Sequence, residues 1–203
     1  MAFYVQLNLR RFVRVGAQVR RARIANMKYF TMIFLAALAT ASALQAQNPL
    51  STELKGDYTG VKNDITKAAD RVSDADYNFK PEGEPRTFGQ LIGHIADVQL
   101  ALCGAAKGEQ KRGEGASKTS KADLVAVLKD SFDYCDPIYN SLTDASGVEM
   151  IKMFGRDHTR FGALSFNVQH NNEVYGSIAV YMRLKGMVPP STADRPAPQG
   201  KKK

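Results

Sequence analysis

The run from Phe161 to Pro190, FGALSFNVQHNNEVYGSIAVYMRLKGMVPP, constrains the fold of this chain more than any other stretch. Ala163, Phe166, His170, Val174, Ser177, Tyr181 and Leu184 recur every three or four residues and so share one face of a helix. A second stripe, Leu164, Val168, Tyr175, Ile178 and Met182, widens that face. A helix apolar over so much of its circumference belongs at the centre of its domain. Gly186 supplies a C-terminal stop, with Arg183 and Lys185 in the last turn and Pro189-Pro190 beyond.

Three other segments carry the same period. Leu54, Tyr58, Val61, Ile65, Ala68 and Val72 predict a first helix starting at Ser51 or Thr52, with Gly56 and Gly60 weakening it locally. It must end before the loop Lys80-Pro81-Glu82-Gly83-Glu84-Pro85. Thr87 and Gln90 have capping-box spacing and open a stripe of Leu91, Ile95, Val98 and Leu102, with His94 at its edge. The polar, glycine-rich segment 104–119 predicts a mobile loop. Ser120 and Asp123 resemble a second capping box, ahead of Leu124, Leu128, Phe132, Cys135 and Tyr139. Pro137 should kink that helix or mark its last turns. Residues 143–159 have no clean period and suggest one helical turn near Val148–Met153; no β pattern stands out. Four amphipathic segments predict an all-α fold, a four-helix bundle. There is no internal repeat, no glycine-rich phosphate loop after a strand, and no serine nucleophile elbow.

The formal charge of +8 suggests nucleic acid as a partner, but its distribution argues against this. Residues 1–46 hold seven basic residues (Arg10, Arg11, Arg14, Arg20, Arg21, Arg23 and Lys28) and no acid, leaving 21 basic against 20 acidic residues in the rest. A nearly neutral domain has little electrostatic attraction for phosphates. Met27-Lys28, the apolar run from Tyr29 to Leu44 and the small residues ending Leu44-Gln45-Ala46 match a secretory signal peptide over 27–46, cleaved after Ala46 or Ala43. The apolar run is short for a membrane span of ~20 residues, although an uncleaved anchor is the alternative. Residues 1–26 read as an N-terminal extension or a mis-called start. The expected organisation is then a periplasmic or secreted domain over 47–190, without stable membrane insertion after cleavage, and a disordered basic tail over 191–203.

Cys103 and Cys135 both lie on or beside apolar stripes. They are either two buried thiols or a disulfide between the second and third helices, which an oxidising compartment permits. Of the three histidines, His94 and His170 sit on separate helices of the expected bundle, where metal sites are common. Each has a carboxylate one turn on, Asp97 and Glu173, able to ligate directly or to orient the ring. His158 falls in the irregular connection.

These residues carry a family resemblance. Phe88-Gly89-Gln90-Leu91-Ile92-Gly93-His94-Ile95-Ala96-Asp97 resembles the second-helix signature of the DinB-like proteins. His170-Asn171-Asn172-Glu173-Val174-Tyr175-Gly176, continuing to Tyr181-Met182-Arg183-Leu184-Lys185-Gly186 and Pro189-Pro190, resembles the family's fourth helix. The similarity spans roughly residues 50–191 and implies a four-helix bundle, in agreement with the periodicity. The family's metal, zinc or nickel, is commonly held by three histidines. His94 matches the one from the second helix, and His170 matches the first of an His-x-x-x-His pair whose second member is replaced here by Val174. Characterised relatives use a low-molecular-weight thiol for transfer or isomerisation, and others are described as hydrolases. The resemblance therefore implies a thiol transferase or hydrolase acting on a small thiol or electrophile, with an altered metal site. Glu173 can supply the missing donor, giving two imidazoles and a carboxylate, and His158 can do so if its loop folds over the bundle mouth. The alternative is a non-catalytic binding bundle in which the site has decayed into packed core. A homodimer is implied by resemblance alone.

Overall fold

The structure, a computed structural model, describes residues 48–84 and 86–194. The N-terminal extension and signal-peptide readings, and the tail beyond Asp194, lie outside these residues. Four long helices dominate: α1 (Pro49–Arg71), α2 (Phe88–Lys107), α3 (Lys121–Ser141) and α4 (Arg160–Leu184). Among the described residues no helix is long and apolar enough to cross a membrane.

Local signals set several of the boundaries. The Thr87 hydroxyl accepts from the Gln90 amide at 3.2 Å, and the Gln90 side chain accepts from the Thr87 amide at 2.9 Å, so the capping box that opens α2 is complete. Ser120 caps α3 by accepting from the Asp123 amide at 3.1 Å. Pro137 sits in the closing turns of α3. Gly186, with φ +74°, follows the end of α4. The start of α1 differs from expectation. It lies at Pro49 because Asp144, more than ninety residues away, accepts from the Leu50 and Ser51 amides at 3.2 and 2.8 Å. Asn48 in turn accepts from the Asp144 amide at 2.8 Å, so each segment caps the other.

Cross-helix contacts fix the directions. Gln99 pairs with Ser131 and Cys103 with Cys135, so α2 and α3 run parallel. His94 meets His170 and Cys103 meets Asn167, so α4 is antiparallel to α2. Tyr58, early in α1, contacts Asp136 late in α3, and Lys121 at the start of α3 donates to the Asp70 carbonyl near the end of α1, so α1 opposes α3 and runs with α4. Around the bundle the order is α1, α3, α2, α4.

Parallel α2 and α3 require the chain to travel back along α2 before α3 can begin. Residues 108–120 make that return, and here the expectation of a mobile loop is corrected. Both Asp97 oxygens accept amides of this strap, Gly115 at 2.6 Å and Ala116 at 2.9 Å. The strap presses so closely on α2 that a Cβ at Gly93 would lie 2.6 Å from the Gly115 carbonyl oxygen. Only glycine tolerates this backbone approach. The carboxylate of Asp97 is therefore committed to the strap, not to a metal or to His94.

A second correction concerns residues 143–159. They form a one-turn helix, Asp144–Gly147, and an antiparallel hairpin of β1 (Met150–Met153) and β2 (Arg156–Thr159). The two-residue turn has positive φ at both Phe154 (+51°) and Gly155 (+76°). Such turns favour Asn-Gly or Asp-Gly, and phenylalanine in the first position removes the usual sequence mark. The chain after Pro189 also departs from the expected disordered tail at its start. Pro190–Ala193 form a helical turn, Tyr175 and Ser191 share a hydrogen bond at 3.1 Å, and Asp194 pairs with Lys67 at 2.7 Å.

The core is mostly apolar, and most of its buried polar side chains lie within about one helical turn of each other. Ile65, Ile92, Ile95, Leu102, Leu164 and Ile178 are fully buried, and so are Gln99, Ser131, Asn167 and Asn171. On α4 the buried face is centred between the two expected stripes, along Leu164, Asn167, Asn171, Tyr175 and Ile178, while Phe166 and Leu184 face solvent. Cys103 and Cys135 form a disulfide between α2 and α3. It lies one helical turn beyond the Gln99–Ser131 contact, so the two pairs are successive rungs on the same helix interface.

Candidate functional site

His94 projects from the first half of α2 and His170 from the middle of α4. Antiparallel packing brings their Nε2 atoms to 3.1 Å, with ring centroids 5.0 Å apart and the planes inclined at 67°. The pair lies at the wall of a cleft of about 200 Å3 lined by Glu84, Arg86, Leu91, Glu173, Val174, Ser177 and Tyr181. Larger clefts of about 420 and 570 Å3 lie elsewhere, and neither brings two imidazoles together.

Both rings are biased towards the neutral form. Burial lowers the pKa of His94 below the ordinary histidine value, and the positive charge of Arg86 and the neighbouring His170 lower it further. Burial likewise lowers His170, against the hydrogen bond to Asn171 and the charge of Glu173, which raise it. A neutral imidazole has a lone pair free for a metal or a proton.

Behind His170 runs a buried chain of hydrogen bonds. Its Nδ1 lies 3.5 Å from Asn171 Oδ1, Asn171 Nδ2 donates to Gln99 Oε1 at 2.8 Å, and Gln99 Nε2 donates to Ser131 Oγ at 2.9 Å. Ser131 Oγ donates to the Leu128 carbonyl at 2.6 Å.

A first-row metal sits ~2.0–2.1 Å from each imidazole nitrogen, so two adjacent ligands in tetrahedral to right-angled geometry stand ~2.9–3.4 Å apart. The 3.1 Å separation of His94 and His170 fits two such positions. A third donor is not assembled with them: among the described residues, no group of three His, Cys, Asp or Glu side chains is placed to hold a metal ion. Val174, only 8% exposed, occupies the place one turn after His170. Glu173 lies exposed at the rim of the same cleft. His158 stands in β2 and lines a different cleft with Phe166 and Gln169.

Arg86, Gln99, Ser131 and Asn171 were not among the site residues read from the sequence. Arg86 is an exposed loop residue that makes no ion pair among the described residues. It is held beside the pair as the chain turns into α2, and its carbonyl accepts from the Tyr181 hydroxyl at 3.0 Å. The signal for Asn171 was its helical phase, midway between Leu164, Tyr175 and Ile178.

The family model for the DinB superfamily matches residues 58–177, more than half of the chain. No curated protein matches the sequence significantly. Solved structures share the fold. A DinB-like protein from Bacillus cereus aligns with a TM-score of 0.59 at 18% identity, over 68% of this chain and 93% of its own. YfiT from Bacillus subtilis, described as a probable metal-dependent hydrolase with an unusual four-helix bundle topology, aligns with a TM-score of 0.54 at 14% identity, over 68% of this chain and 88% of its own. A mycothiol-dependent maleylpyruvate isomerase aligns with a TM-score of 0.54 at 15% identity, over 63% of this chain and 60% of its own.

Proposed function

The chain belongs to the DinB superfamily, and on that footing we propose that it is an exported enzyme whose cleft holds a divalent metal, zinc or nickel, between His94 and His170. The observation that carries this reading is the approach of two imidazole nitrogens to 3.1 Å from facing helices. Glu173, at the rim of the cleft, is the third donor in this reading. The substrate is a small thiol or electrophile, and the reaction is a thiol transfer or a hydrolysis. The description of YfiT as a probable metal-dependent hydrolase and the mycothiol dependence of the isomerase support these two classes. The Cys103–Cys135 disulfide supports export, because such bonds persist in oxidising compartments.

A bound divalent metal supplies either a stabilised thiolate or a water of lowered pKa. The chain's own residues do the rest. His170 is oriented from behind by Asn171. Leu91, Val174 and Tyr181 form a dry wall, since each is less than a tenth exposed. Arg86 presents a guanidinium to an anionic part of the substrate.

A second reading, a non-catalytic binding bundle, is favoured by one observation: Val174 occupies the place of a third ligand, and no three-donor group exists among the described residues. Calorimetric zinc titration separates the two. With only two imidazoles assembled, the natural protein should bind one zinc weakly, Glu173→Gln should weaken it further, and Val174→His should tighten it by completing a three-imidazole set. Absence of zinc binding in the natural protein would favour the second reading. A Val174→His protein that gains nothing would mean that position 174 does not face the pair.

A further inference from the structure

The buried polar chain behind His170 has a direction that can be worked out atom by atom. The Leu128 carbonyl only accepts, so the hydrogen between it and Ser131 Oγ, 2.6 Å away, belongs to the serine. Ser131 has one hydrogen and has spent it, so the Gln99 atom at 2.9 Å must be a donor, Nε2. That turns Gln99 Oε1 towards Asn171, and the Asn171 atom at 2.8 Å must therefore be Nδ2. Asn171 Oδ1 is left facing His170, and an oxygen with no hydrogen can only accept. All three side chains are fully buried, so water does not compete for these bonds.

We propose that Asn171, clamped by Gln99 and Ser131, is a positioning residue that holds the proton of His170 on Nδ1 and so leaves the Nε2 lone pair facing His94. In the metal-free protein the 3.1 Å contact between the two Nε2 atoms then has one sense, with His94 Nε2–H donating to His170 Nε2, and ligation of a metal by both rings requires that proton to leave His94 Nε2. The two rings are opposite tautomers of one pair. Free histidine in water favours the proton on Nε2, so His170 is held in its minor form. Three fully buried polar side chains in a bundle core have a use that packing does not give them: they carry the polarity of one backbone carbonyl on α3 to a ring on α4. The rungs Gln99–Ser131 and Cys103–Cys135 are one turn apart, so the disulfide keeps the register on which the chain depends.

The link from tautomer to metal rests on the proposed function; the tautomer itself does not. The test is long-range nitrogen–proton NMR of the metal-free protein with 15N-labelled histidine. There are three histidines to assign, and His158→Gln identifies the third. The expected result is His170 protonated on Nδ1 and His94 on Nε2. A His170 ring protonated on Nε2, or distributed as in free histidine, overturns the inference without any variant. Asn171→Ala should shift His170 towards the free-histidine mixture, and Asn171→Asp, which retains an acceptor, should restore Nδ1–H. A folded Asn171→Ala protein that keeps Nδ1–H would show that something else sets the tautomer. Ser131→Ala, which frees the Gln99 amide to turn over, should weaken the preference by a second route. Zinc titration is a separate readout: Asn171→Ala should lower affinity roughly 10–100-fold, as loss of a ligand's hydrogen-bond partner does. A natural protein that binds no zinc but shows the expected tautomers would overturn the metal reading and leave Asn171 in its role.

Discussion

Removing the Cys103–Cys135 bond by replacing both residues with alanine should destabilise the domain through the unfolded chain. The bond closes a loop with a sequence separation of 32. At that length the chain-entropy relation gives about 3.7 kcal/mol at room temperature. Both sulfurs are fully buried, and small cavities left by the alanines would add to this. For a domain of this size each kcal/mol moves the melting temperature by roughly 2–4 °C, so the expected loss is on the order of 7–15 °C. Calorimetry of the oxidised natural protein against the double variant, with the reduced natural protein as a third sample, measures it. Reduction should reproduce most of the loss, because it removes the bond and leaves the side-chain volume. A double variant melting within about 2 °C of the oxidised protein would refute the argument that the bond constrains the unfolded state.

The histidine pair predicts a pH dependence with a definite sign. Both rings have folded pKa values below the ordinary ~6.5, so between that value and the lower folded one the unfolded chain holds more protons. Stability should fall as pH drops through that window, and the pair should contribute no slope above it; urea unfolding from pH 8 to 5 reads this. The double variant His94→Gln, His170→Gln should lose that slope, and an unchanged slope would mean that other groups carry it. Asp97→Ala removes two backbone hydrogen bonds to a carboxylate and should cost about 2 kcal/mol. Amide exchange at Gly115 and Ala116 should quicken in the same variant, and unchanged exchange there would count against Asp97 as the anchor of the strap.

Features with short-range causes were legible in the sequence. The caps at Thr87 and Ser120 need only residues three positions apart, and the phases of α2 and α4 put His94 and His170 on facing sides. The start of α1 was not legible, because Asp144 reaches it only after the bundle has closed. The hairpin turn at Phe154 takes a backbone conformation that its residue type does not advertise. At the site, hydropathy assigned Gln99, Ser131 and Asn171 to no stripe, since a polar side chain scores as solvent-facing unless its partners are known. Each is buried because the others are there, and that is a property of three helices together. Asp97 shows the converse: its spacing from His94 offered a partner, and the strap took both its oxygens.

The strap between α2 and α3 also sets a limit on chain length. Twenty residues of α2 rise about 30 Å. The thirteen residues of the return over 108–120 have a fully extended reach of roughly 43–47 Å, so only about four or five residues are slack. A deletion larger than that leaves α3 unable to start beside the beginning of α2, and the easy alternative is the antiparallel hairpin that short connections favour. In that arrangement Gln99 no longer meets Ser131 and Cys103 no longer meets Cys135. The parallel order of these two helices thus depends on how many residues separate Lys107 from Lys121 as much as on which residues they are.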